Sequence, residues 1–194
     1  MDERTDFDRA GFLPTYAGCY VCGQDHPRGL RIRFFADADG HVHAEFRPDN
    51  TQTGYEGIVH GGVISALMDE LLGWPIVLQT GRMCYTVELT MRFLKPVPAG
   101  RNYRATASPG TARGRYWENE GDLRDEHDEV YARARGKYFL LSEDQTAAVV
   151  AKLTHQSGDL AVFANKAAPA GSTTTACCTD GSLHRQPVDS VDRL

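Results

Sequence analysis

Six residues separate His60-Gly61-Gly62 from the acidic pair Asp69-Glu70, all inside the most apolar stretch of the chain, Gly54 to Gly81. Carboxylates in an apolar run are costly unless they are paired or used. The pair therefore marks where chemistry is to be sought. Glycines at a helix start let a ligand approach the backbone, and the first amides of a helix lack intrahelical partners. Such amides, at the positive end of the helix dipole, suit a carbonyl oxygen or a developing oxyanion. Gly61 and Gly62 are the candidate donors, and His60 would orient or polarise the same group, its plainer role being a helix cap. Asp69 is the candidate base or nucleophile, its plainer role an ion pair with an arginine across an interface.

The spacing predicts a helix from about Gly61 into the high seventies, kinked or ended by Pro75 and stopped by Gly81. At about 100° per residue, Gly62, Ser65, Ala66, Asp69 and Gly73 share one small, polar face. Ile64, Leu67, Met68, Leu71 and Leu72 cover the other side, so the helix must be wrapped by something larger. Glu70 points away from the small face and is expected in a salt bridge or at a rim. From Gly62 to Asp69 the helix rises about 10 Å, too far for a carboxylate to reach back to its own helix start. Two antiparallel helices across a two-fold axis would instead set each Asp69 beside the other's His-Gly-Gly. The expectation is a site shared between protomers. Ser65 is read as a packing serine, since no Gly-x-Ser-x-Gly elbow surrounds it.

The elements that must position these residues are mostly strands. Leu30–Phe34 and Val42–Phe46 alternate apolar and polar around the turn Asp37–Gly40. After the helix, Tyr85–Phe93 alternates, with Thr86, Glu88, Thr90 and Arg92 expected on one face. Strands are also expected over 101–107, 114–123 and 130–141. The order is strand, strand, helix, then four strands: α+β, a curved antiparallel sheet around one long central helix. Residues 1–18 read as a leader with room for a short helix, and 19–145 as the domain. A C-terminal extension, 146–194, holds a short helix at 147–153 and disorder from about 165.

The chain has 194 residues, 41% hydrophobic, with a net charge of −5 from 26 acidic and 21 basic side chains. That balance gives no electrostatic case for nucleic acid. No apolar run is expected to cross a bilayer, and the acidic start MDERTDFDRAGF is unlike a signal peptide. The expected location is the cytoplasm, and five unevenly spread cysteines make a poor disulfide framework. Cys19 and Cys22 are half of a zinc site, with His26 a conceivable third ligand. Structural zinc wants four ligands, so a packed turn with buried thiols, and no metal, is the expectation.

The stretch Gly54 to Glu70 resembles the helix motif of hotdog-fold acyl-CoA thioesterases of the phenylacetic-acid thioesterase-like (PaaI-like) group. Cys19-x-x-Cys-Gly with Pro27-x-Gly-Leu, and Thr86-Val-Glu-Leu-x-x-x-Phe-Leu-Lys-Pro96, are similar to two further blocks of one subfamily. The resemblance covers about 19–141. It implies a hotdog fold, a homodimer or homotetramer, and hydrolysis of an acyl-CoA with no cofactor. By position it implies Gly61 as the oxyanion donor with Gly62 assisting, and His60 beside the thioester carbonyl. It likewise implies Asp69 as base or nucleophile, and Thr86 as the hydroxyl that positions water or the carboxylate. Several relatives carry Asn six residues before the motif histidine, where this chain has Gly54. Arg92, Arg113 and Arg115, with Lys95 and Arg101, are candidates for the coenzyme A phosphates. The other readings are a non-catalytic acyl-CoA-binding hotdog protein and a hotdog hydratase or dehydratase.

Overall fold

The computed structural model describes residues 9–163. Its first elements are short strands, β1 (Arg9–Phe12) and β2 (Thr15–Tyr16), so the described part of the leader is extended and not helical. β3 (Phe34–Asp37) and β4 (Val42–Phe46) form a hairpin. In its turn Gly40 adopts φ 81, and the Asp37 carboxylate accepts from the Asp39 and His41 amides. β3 begins four residues later than the alternation from Leu30 predicts. The amides of Leu30 and Ile32 donate to the carbonyls of Tyr20 and Val21, both at 2.8 Å, which ties that segment to the cysteine turn. Two short strands, β5 (Thr53–Tyr55) and β6 (Ile58–Val59), lead into α1 (Gly61–Thr80).

After α1 come β7 (Cys84–Phe93), β8 (Tyr103–Ala107), β9 (Thr111–Arg113), β10 (Tyr116–Asp125) and β11 (Val130–Leu140). They join one antiparallel sheet in the order β1-β3-β4-β8-β10-β11-β7, with β9 on β10. α2 (Glu143–Val150) starts four residues before the predicted helix, because Ser142 and Gln145 form a capping box. β12 (Leu153–Thr154) then pairs with β2, so the two ends of the described chain meet.

The sheet curls around α1. Phe34, Val42, Ala44, Phe46, Ala105, Ala107, Leu123, Ala132 and Ala134 pack on Ile64, Leu67, Met68, Leu71 and Leu72 in one core. Alanines on β8 and β11 let the helix come close. Gly121 is part of the same fit, since a Cβ there would sit 3.1 Å from Leu72 and 2.4 Å from the Thr106 carbonyl. By length and mean hydropathy (1.4) α1 could cross a membrane, contrary to the sequence expectation. Its apolar side chains are instead covered by the sheet.

His60 caps α1 and Gly81, at φ 63, ends it. Pro75 neither ends it nor breaks it. The buried neighbours Leu71, Leu72, Trp74 and Ile76 hold the helix across a residue that costs about 3 kcal/mol in a helix interior.

Strand β7 departs from simple alternation. Lys137 pairs with Glu88 but Tyr138 pairs with Thr86, so Val87 is an extra residue, a β-bulge. Cys84 on one side of it, and Leu89 and Met91 on the other, pack on the core. The bulge therefore divides the face predicted for Thr86, Glu88, Thr90 and Arg92. Thr86 turns towards α1, and Glu88, Thr90 and Arg92 turn away. Among the described residues β7 is paired on one side only, and it exposes Tyr85 (61%), Val87 (52%) and Phe93 (50%).

Candidate active site

Asp69 lies midway along α1 on the wall of a cavity of about 300 Å³. The cavity is also lined by Glu70, Gly73, Trp74, Cys84, Thr86 and Tyr138, with Cys19 and Cys22 from the N-terminal turn. Val149 of α2, Leu153 of β12 and Tyr16 of β2 close it from the side of the chain ends. Residues outside 19–145 thus help to shape it.

Thr86, re-aimed by the bulge, donates its hydroxyl to Asp69 Oδ1 at 2.7 Å. One carboxylate oxygen is thereby oriented. Tyr138, almost wholly buried, donates to the Asp69 backbone carbonyl at 3.0 Å. Burial first, then the Asp69 charge, raises the Tyr138 phenol well above its ordinary range. The same two causes push the Cys84 thiol up to about 12. Both groups are neutral near neutral pH, and Cys84 supplies no thiolate there. Tyr138 escaped the sequence reading, because a strand tyrosine carries no local signal of the helix carbonyl it will meet.

At the helix start, Gly62 donates its amide to His60 Nδ1 at 2.8 Å. The histidine is thus a cap. With Nδ1 accepting, the neutral ring carries its proton on Nε2, which makes that nitrogen a donor. The Gly62 amide is occupied by this cap, and Gly61 keeps the first amide of the helix, which has no intrahelical acceptor. Ser65 bonds back to the Gly61 carbonyl at 2.9 Å and not to Asp69. His60 does not line the Asp69 cavity. Asp69 and Thr86 are brought together; His60 and Gly61 stand apart, as the rise along the helix implied. Gly54 lies under His60, and a Cβ at that position would be 2.9 Å from the ring.

Among the described residues Glu70 has no salt-bridge partner. Its carboxylate accepts from the Cys19 thiol at 2.9 Å. Burial above all, and then the Cys19 sulfur beside it, pushes the Glu70 carboxyl up to about 8. Arg92, Arg113 and Arg115 do not line the cavity. Arg113 faces Glu118 at 4.0 Å, and Arg115 stacks on Tyr116, 4.9 Å from the ring centre. Arg101 bonds Asp125 and Tyr131, and Lys95 pairs with Glu129.

Residues 56–132 match the thioesterase superfamily. A solved thioesterase superfamily protein superposes with a TM-score of 0.59 at 24% identity, covering 63% of this chain and 60% of that one. The E. coli PaaI protein from the phenylacetic acid degradation operon gives 0.53 at 20% identity, over 58% and 81%. A Streptococcus mutans UA159 protein bound to acetyl CoA gives 0.51 at 20% identity, over 57% and 89%. An uncharacterized Schizosaccharomyces pombe protein is 29% identical over 79 residues, 40% of this chain and 45% of its own length. The chain thus spans less than half of that curated relative. The shared fold is the hotdog: an antiparallel sheet around one long helix.

Proposed function

From a hotdog chain whose residues 56–132 match the thioesterase superfamily, we propose an acyl-CoA thioesterase with a site completed by a second copy of the chain. The observation that carries this reading is the Thr86-to-Asp69 hydrogen bond on the cavity wall. A carboxylate held by one oxygen keeps the other free to act on a carbonyl carbon or on water. The His60 and Gly61 donors that such a reaction needs sit at the far end of the same helix. Antiparallel pairing across the open β7 edge would bring one protomer's Asp69 towards its partner's helix start. The exposed Tyr85 and Val87 on that edge support such a contact.

In the proposed reaction the thioester oxygen is received by the Gly61 amide and His60 Nε2–H as the tetrahedral oxyanion forms. Asp69 either takes a proton from attacking water or attacks directly, giving an anhydride that water then opens. In both routes the oxyanion collapses by breaking the carbon–sulfur bond, and coenzyme A leaves as a thiolate that takes up the proton released by water. Oxygen-18 from solvent, found in the acid product after a single turnover, marks the first route; oxygen-18 found in Asp69 after repeated turnover marks the second. The acetyl-CoA bound by the S. mutans protein supports a CoA ester as substrate class. The direct test is release of free thiol over a panel of acyl-CoA esters. Tight CoA binding with no thiol released from any ester would replace hydrolysis by acyl-CoA binding alone.

Two substitutions probe the parts. Thr86→Val removes a hydrogen bond to a charged group, a loss of about 1.5–3 kcal/mol, and is expected to lower kcat about 10- to 100-fold. Thr86→Ser should recover most of it; equal activity in the valine variant would remove Thr86 from the site. Gly54→Asn is expected to lower kcat/KM by displacing the His60 ring, since even a Cβ comes within 2.9 Å of it. A faster Asn variant would mean that the ring yields and the amide gains a contact.

A further inference from the structure

One half-buried cluster on the cavity wall has no part in the proposed reaction. The sulfurs of Cys19 and Cys22 and a carboxylate oxygen of Glu70 all lie within 4.8 Å of one another. The two cysteines belong to a tight turn. Its Val21 and Cys22 amides donate to Cys19 Sγ at 3.2 and 3.4 Å, and the Tyr16 amide donates to Cys22 Sγ at 3.4 Å. Gly23 closes the turn on the Cys19 carbonyl at 3.0 Å, where a Cβ would come within 2.5 Å of that oxygen. These backbone donors fix how each sulfur is turned, and a bound metal would displace the thiol protons. The donors also occupy one side of each sulfur and leave the other side facing Glu70.

Glu70 arrives from 51 residues further along the chain, and Trp74, one turn on along α1, lines the same cavity wall. His26 is not part of the cluster; its ring nitrogen accepts from the Arg28 amide. Two sulfurs and one carboxylate oxygen suit a borderline-soft divalent ion in tetrahedral geometry, and zinc before magnesium or calcium. All three side chains line the cavity that holds Asp69, so a fourth position would face that space.

We propose that Cys19, Cys22 and Glu70 form a three-ligand zinc site that clamps the N-terminal turn to α1 one residue from Asp69. The site stands independently of thioester hydrolysis, and its test reads metal and thiols rather than turnover.

The full chain is stripped with a chelator under reducing conditions, reloaded with zinc, desalted and assayed for metal by mass spectrometry. The expected result is stoichiometric zinc, lowered about 10-fold or more in Cys22→Ser and in Glu70→Gln. A Cys177→Ser/Cys178→Ser variant should keep it in full. Cobalt in place of zinc should give a thiolate-to-metal charge-transfer band that Cys19→Ser abolishes. If the serine variants fail to fold, wild-type alkylation decides: bound zinc should protect Cys19 and Cys22 from iodoacetamide. Substoichiometric zinc after reloading, zinc unaffected by Cys22→Ser and Glu70→Gln, or unprotected cysteines would each overturn the site.

Discussion

Asp69→Asn is expected to lower kcat for thiol release by about 100- to 10,000-fold, the usual contribution of a positioned acid or base, with KM little changed. The substitution is close to isosteric. The amide oxygen of Asn still accepts the Thr86 hydroxyl that now lies 2.7 Å from Oδ1, so the cavity keeps its shape and loses its charge. Thermal unfolding should move little, which separates this result from misfolding. A second readout comes from Cys84, whose thiol is held up to about 12 by burial and then by the Asp69 charge. Removing a neighbouring negative charge makes thiolate formation easier, so Cys84 should titrate lower in the Asn variant, while burial keeps it above the ordinary thiol range. Full activity in Asp69→Asn would sink the proposed site. Lost activity with an unmoved Cys84 would mean that the charge was not beside it.

Two inactive variants are expected to restore activity to each other. In a mixture of Asp69→Asn and His60→Ala chains, a heterodimer pairs the intact His60 of one chain with the intact Asp69 of the other. After unfolding and joint refolding, random assortment leaves roughly a quarter of the sites whole. The companion experiment places lysine at Val87, which is exposed on the unpaired edge of β7. Charge on an edge strand opposes pairing, so Val87→Lys should run as a monomer in gel filtration and release no thiol. Activity in that monomer, or none in the refolded mixture, would return the whole site to a single chain. Of all the expected effects this is the largest, because it turns on or off the entire reaction.

The central helix was legible because its signals are local. Apolar residues at spacings of three and four, His60 at one end and Gly81 at the other, are enough to start, orient and stop it. The strands were legible for the same reason, by their alternation, with boundaries moved by a few residues where a loop claimed an amide, as at Leu30 and Ile32. Pro75 does not end the helix, because the packing that holds its neighbours in place comes from the sheet. Thr86 was identified by its place in a resemblance rather than by its face. Its true orientation depends on the extra residue Val87, and a bulge is visible only when two strands are paired.

The same division runs through the residues that could do chemistry. His60, Gly61, Gly62 and Asp69 were picked out by residue type and helical spacing alone, and the distance between the two groups followed from the rise per residue. The tertiary structure decided which of them meet other parts of the chain. It took the Gly62 amide for the His60 cap, set Thr86 on Asp69, and put Tyr138 beneath them. It also turned Glu70 from an expected surface ion pair into the partner of Cys19. Periodicity fixes which face of a helix a residue occupies, because that is set by the backbone within a few residues. What stands opposite that face depends on chain closure over tens of residues, which no local pattern encodes.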